Sequence, residues 1–139
     1  MIYLKIDNLK AIGKARPRFN TLTKRTYTPT NTVQYEKRIR HEFMSKYDLI
    51  NCYLSEPLEC KIRAFYKIPA SYTKKKKQEC IGQPYQHKPD CDNIAKAILD
   101  ALNLYAYRDD KQIVKISVEK LYSEVEDSVE IEIKSVLEE

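Results

Sequence analysis

No stretch of this chain is apolar over anything near the roughly 20 residues that cross a bilayer, and its first residues lack the apolar segment of a signal peptide. These absences predict a cytoplasmic chain with no membrane partner. Cysteine occurs four times but never as Cys-x-x-Cys: Cys52, Cys60, Cys80 and Cys91 stand apart. A reducing compartment argues against disulfides. The set Cys80, His87 and Cys91 fits no common zinc-finger spacing. No internal repeat or low-complexity linker divides the 139 residues. One domain, 1–139, is expected, long enough for a real core and short enough to gain from dimerisation.

Acidic residues are scarce in the first part of the chain. Residues 1–88 hold 19 Lys and Arg against 7 Asp and Glu, and residues 89–139 hold 6 against 13. The formal net charge of +5 hides this segregation. One part suits a polyanion and the other carries clustered carboxylates, as a metal-dependent nuclease needs.

In chain order, Ile2, Leu4 and Ile6 alternate as a short strand does. From Lys10 to Asn31 runs a loop rich in Thr and Pro, with basic residues Lys14, Arg16, Arg18, Lys24 and Arg25 around Phe19 and Tyr27. That mixture suits phosphates and exposed bases. Asn31 or Thr32 can cap a helix reaching about Tyr47, with Tyr35, Ile39, Phe43 and Tyr47 on one stripe. Leu58, Cys60, Ile62, Ala64, Tyr66 and Ile68 alternate as a long strand with one buried face. Ser71 can cap a short helix holding Lys74, Lys75, Lys76 and Lys77, a run that either solvates a face or meets duplex phosphates. Val114, Ile116 and Val118 alternate, as do Val129, Ile131 and Ile133, and Ser123–Asp127 reads as a hairpin turn between them. The order β–loop–α–β–α–α–β–β predicts an α+β domain, its sheet mostly antiparallel or mixed, with a long polar-faced helix packed on it.

That helix carries the densest chemistry. Asp90, Asp92, Asp100, Asp109 and Asp110 fall within 21 positions. Pro89 favours an extended Lys88, and Asp90 or Asp92 can then serve as N-cap. Ile94, Ile98, Ala101, Leu102 and Tyr105 form the core stripe, while Asp92, Lys96, Asp100 and Asn103 share the opposite face. Crowded carboxylates repel unless a cation joins them, and hard oxygen ligands suit Mg²⁺ or Mn²⁺. The alternative is a capped helix followed by a solvated Asp109-Asp110 turn.

Lys88-Pro89-Asp90-x-Asp92-Asn93-x-x-Lys96, then Asp100-Ala101-Leu102-Asn103, then Tyr107-Arg108-Asp109-Asp110-Lys111-Gln112-Ile113 resembles the signature of RusA-type Holliday-junction resolvases. Arg16-Pro17-Arg18 with Thr26-Tyr27-Thr28-Pro29 and Ile68-Pro69-x-Ser71-Tyr72 extend the resemblance over most of the chain. Cys91 departs from the usual aliphatic residue, and Tyr72 stands where tryptophan is common. The resemblance implies a Mg²⁺-dependent endodeoxyribonuclease that cuts four-way junctions in pairs during recombination and repair, acting as a homodimer on branched DNA, with phage or prophage recombination as its setting. It assigns Asp90, Asp92 and Asp110 as metal ligands and Lys96 as the catalytic lysine. Asn93, Asp100 and Asp109 fall into support roles. Lys88 joins Lys14, Arg16, Arg18, Lys24, Arg25 and Lys74 to Lys77 as DNA-binding candidates. A nuclease acting on RNA or linear DNA, and a DNA-binding module without catalysis, are the rival readings.

Overall fold

Alternation builds the sheet and helical periodicity covers one side of it. The computed structural model describes residues 1–14, 18–27, 30–47 and 53–138, so Arg16 and Cys52 lie outside the described residues. The elements are β1 (Ile2–Asp7), β2 (Arg18–Asn20), β3 (Arg25–Tyr27), α1 (Thr30–Lys46), β4 (Leu58–Lys67), α2 (Lys74–Cys80), α3 (Cys91–Leu102), a 3₁₀ turn (Asp110–Gln112), β5 (Ile113–Ser123) and β6 (Ser128–Ser135). The architecture is α+β with a mixed four-stranded sheet in the order β1-β6-β4-β5. β6 is antiparallel to β1 and β4, and β4 is parallel to β5.

β4 is the strand that its pattern predicts: Leu58, Cys60, Ile62, Ala64 and Tyr66 are buried, while Lys61, Arg63 and Lys67 face solvent. Ile2, Leu4 and Ile6 of β1 join Val129, Ile131 and Ile133 of β6 in the same core. Tyr35, Ile39 and Phe43 of α1 and Ile94, Ile98, Ala101 and Leu102 of α3 close over them. Each fully buried Ile or Leu contributes about 1.5–3 kcal/mol, so the buried stripe fixes the rotation of α3 and keeps Asp92 and Lys96 outside.

The expected hairpin at Ser123–Asp127 does not form. β4 lies between β5 and β6, so the link passes the end of β4 and spans two strand spacings, about 9.5 Å. Glu124-Val125-Glu126-Asp127 lacks the Asn-Gly or Asp-Gly pair that tight hairpins favour. Asp127 Oδ1 instead accepts a hydrogen bond from Lys67 N (2.8 Å), fastening the link to the end of β4. β5 therefore becomes a sheet edge, and the alternating Val114 and Ile116 stay 61% and 42% exposed.

The basic loop holds a small hairpin of β2 and β3. Asn20 Oδ1 accepts from Leu22 N (2.8 Å) and Thr23 N (3.2 Å) to shape its turn, a local side-chain bond typical of asparagine. α2 is capped by Thr73, whose hydroxyl accepts from Lys76 N (3.2 Å), two residues beyond Ser71.

Candidate active site

Asp90 occupies the N-cap position of α3 with extended backbone, yet its side chain makes no capping bond. Ordinary helix starts use that carboxylate on the orphan N–H groups. Here it is exposed, as is Asp92 in the first turn. Among the described residues neither enters an ion pair; the acids that do so nearby are Glu36 and Asp100. Lys96, one turn on from Asp92, is exposed and likewise outside any ion pair among the described residues.

A cleft of about 310 Å³ opens beside this helix start, lined by residues 10–13 on one side and Lys88, Pro89, Asp90 and Asn93 on the other. The two walls touch closely. A Cβ on Gly13 would stand 3.1 Å from Asn93 Cβ and 3.3 Å from Pro89 Cβ. Lys14 N donates to the Asn93 carbonyl (3.2 Å). Glycine at 13 thus permits the approach, and Asn93 holds the wall through its backbone. The Lys88–Pro89 peptide is cis. Lys120, which no motif marks, ties the segment down: its Nζ donates to the His87 carbonyl (2.7 Å) and the Pro89 carbonyl (2.9 Å). Lys10, also outside the sequence-based candidates, lines the cleft together with Lys88.

Lys14 is turned inward. Its Nζ pairs with Glu36 and with Asp100 Oδ2 (3.3 Å), and Arg40 holds the other Glu36 oxygen (3.3 Å) and the Ala101 carbonyl (2.9 Å). Burial works to lower the Lys14 pKa, but the hydrogen bonds and charges of Glu36, then Asp100, outweigh it and the value is raised. This charge clamps α1 to α3 rather than facing outward. Asp100 supports Lys14 and not Lys96.

The second acidic pair lies at the other end of the helix. Tyr107, fully buried, sets its hydroxyl 2.6 Å from the Leu99 carbonyl and 2.9 Å from Asp110 Oδ1, its one proton shared between the two acceptors. Burial raises the Asp110 pKa; the Tyr107 bond lowers it, and Asp100 and Asp109 raise it further. Asp109 caps the 3₁₀ turn, accepting from Lys111 N (2.9 Å), while Gln112 reaches back to the Asp109 N–H (3.0 Å). At about 1.5 Å per residue, the helix rises about 12 Å between Asp92 and Asp100. Within one chain Asp110 therefore stands beside Asp100, away from Asp90 and Asp92. Among the described residues no three His, Cys, Asp or Glu gather as a metal site. The uncommitted oxygens of Asp90 and Asp92 nonetheless fit a hard divalent cation, which often takes one or two carboxylates plus a phosphate.

The remaining candidates sit around this centre. Arg18, Lys24 and Arg25 are exposed on the β2–β3 hairpin, Lys24 with φ of 55° at its turn. Lys74, Lys75 and Lys76 are exposed on α2, Lys77 half-buried, and Lys88 exposed at the cleft. Cys91 is exposed with Sγ 3.8 Å from the Val118 carbonyl. Cys60 is buried, which pushes its thiol up to about 12.

A family model described as endodeoxyribonuclease RusA matches residues 8–134. The uncharacterized protein YqaN of Bacillus subtilis (strain 168) is 38% identical over 88 residues, 60% of this chain and 61% of that protein. The match thus spans a little under two thirds of that relative.

Proposed function

The chain belongs to the RusA endodeoxyribonuclease family, and from that premise we propose that it is a Mg²⁺-dependent endonuclease resolving four-way DNA junctions by paired, symmetric cuts. The observation that carries the reading is the pair Asp90 and Asp92. They are exposed carboxylates at a helix start, unused for capping or ion pairing among the described residues, and Asp90 lines a cleft that Lys10 and Lys88 also line. Folding alone gives little reason to leave two acids so placed, whereas a cation and a phosphate do.

Asp90 and Asp92 would hold Mg²⁺, or Mn²⁺ in its place. A bound ion there supplies an activated water and offsets charge on the scissile phosphate. Lys10 and Lys88 attract the DNA backbone to the cleft. Lys96, facing solvent one turn above Asp92, sets an ammonium against the phosphate or leaving oxygen. The exposed cations of the β2–β3 hairpin and α2 extend the footprint over the junction arms.

A homodimer matches a two-fold junction with one site per subunit. The geometry adds a second motive: with Asp110 at the far end of α3, a three-carboxylate site draws that residue from a second copy. Labelled four-way junction, linear duplex and hairpin RNA, each with Mg²⁺ or EDTA, test the activity. Matched cuts on opposite strands of the junction alone support a resolvase. Cleavage of duplex or RNA at similar rates points to a general nuclease, and Mg²⁺-insensitive binding without cleavage to a binding module. Mixing inactive Asp92→Asn with inactive Asp110→Asn tests the shared site. Carboxylates shared between copies leave one intact site in each mixed dimer and restore single nicks; sites complete within one chain restore nothing.

A further inference from the structure

Lys10 lines two clefts at once. One holds Asp90; the other, of about 430 Å³, is walled by Tyr72, Tyr85, His87, Tyr122 and Asp127. Its rings brace one another. Tyr85 stacks on Tyr66 with centroids 4.1 Å apart and planes 12° apart, and meets His87 and Tyr122 edge-on at 5.1 Å. The backbone is equally fixed: Tyr85 N donates to the Lys120 carbonyl (2.9 Å) and Tyr122 N to the Gln83 carbonyl (2.9 Å), pinning residues 83–85 along β5. The same Lys120 whose carbonyl holds Tyr85 sends its ammonium to His87 and Pro89, just before Asp90.

Such a cleft is costly as mere surface. Its aromatic walls are open to solvent, prebuilt and rimmed by cations, with Lys76 Nζ 3.9 Å above the Tyr72 ring. Its volume lies within the about 300–1,000 Å³ of ligand sites. The guest must be planar to profit from the rings, and it must come attached to something anionic to profit from the lysines. Asp127 adds one polar feature: Oδ1 accepts from Lys67 N, leaving the other oxygen to accept from a guest's N–H.

We propose that this cleft receives one nucleobase unstacked from the DNA beside the scissile phosphate, and that Asp127 favours a base bearing an exocyclic amino group. The proposal rests on the endonuclease reading above. Distance supports it. Three residue steps lead from His87 to Asp90, at most about 11 Å of chain, against about 3.4 Å of rise per nucleotide. A phosphate at Asp90 thus puts the cleft within about three nucleotides. Carboxylate-to-amino contacts read cytosine in DNA grooves, and the same chemistry applies to the amino groups of adenine and guanine once a base is unstacked.

The test is a cycle between protein and DNA in EDTA, where binding is measured without cleavage. Abasic sugars are placed one at a time through the centre of a four-way junction. Base–aromatic stacking is equivalent to about 5- to 150-fold in affinity per base. The parent should lose that much at one position within three nucleotides of the cut. Tyr72→Ala and His87→Ala, both away from the core, should bind intact junction more weakly and lose less than about 2-fold on base removal there. Thermal melting confirms that both variants fold. Asp127→Asn should change the base preference at that position alone, since an amide both donates and accepts. An abasic penalty equal in parent and variants, or none at any position, overturns the base site while leaving the endonuclease reading intact; the rings then serve only to cover the end of β5. Absence of junction binding by the parent overturns both.

Discussion

A single carboxylate separates chemistry from scaffolding at Asp90. The Asp90 side chain makes no capping bond and asparagine is tolerated at an N-cap, so Asp90→Asn keeps the helix start and removes a charge from a crowded one. Stability without metal should hold or rise, junction affinity in EDTA should hold or rise, and cleavage should fall by orders of magnitude. Parallel melting, binding and gel assays check this; near-parental cleavage takes Asp90 out of the site. Asp110 gives a pH test. Its folded pKa lies above the unfolded value because burial outweighs the Tyr107 bond. The folded state therefore binds more protons there in the window above pH 3.8, and stability falls as pH rises through it. Asp110→Asn keeps an acceptor for Tyr107 and should melt higher than the parent at pH 7. That gain should vanish below pH 3.8, and an unchanged gain at low pH would sink the assignment. Lys14 is the opposite case, a cation spent on structure. Lys14→Met leaves Glu36, 9% exposed, with Arg40 alone. The expected loss is roughly 1–3 kcal/mol in urea unfolding, with no change in the salt dependence of junction binding. A shallower salt slope would return Lys14 to the DNA surface.

Elements whose pattern faces a single core were legible from sequence; those decided by neighbours were not. β1, β4 and the stripes of α1 and α3 follow directly from alternation and three-to-four spacing, because each buries one face against one core. The order of strands was hidden. Val114 and Val129 look alike as partners, and nothing local says that β4 comes between them. The proposed site was legible as Asp90, Asp92 and Lys96, since one helix carries all three near its start. Asp110 was legible as a residue but not as a position, because Tyr107 ties it to the far end of α3. Lys10, Lys120 and the Tyr85 cleft left no mark in the sequence, as they meet only through the fold. α2 supplies the prediction at this scale. Replacing Lys74 to Lys77 by alanine should reduce the slope of log K against log salt by about 0.9 for each lost phosphate contact. The helix keeps its Thr73 cap, so the fold should survive; an unchanged slope leaves α2 as solvated surface.

For the whole molecule, the proposed metal would be linked to the fold. A cation that binds only the folded state stabilises it by RT ln(1 + [L]/Kd), about 2.7 kcal/mol at 100 times Kd. Mg²⁺ should raise the melting midpoint of the parent, and Asp90→Asn should abolish most of that rise, a readout that needs no DNA. Equal shifts in both proteins would place the binding elsewhere. The pairing of Ile2 with Ile133 has a different consequence. β6 is the shared neighbour of β1 and β4, and of the four strands of this sheet it comes last in chain order. Until it arrives, β1 has no partner in the sheet and the strongly basic part of the chain is already made. Synthesis thus leaves the sheet unclosed until β6 is made, and such distant contacts make closure slow. A nascent chain stalled before Ser128 would present a cationic, unclosed sheet, a client for chaperones.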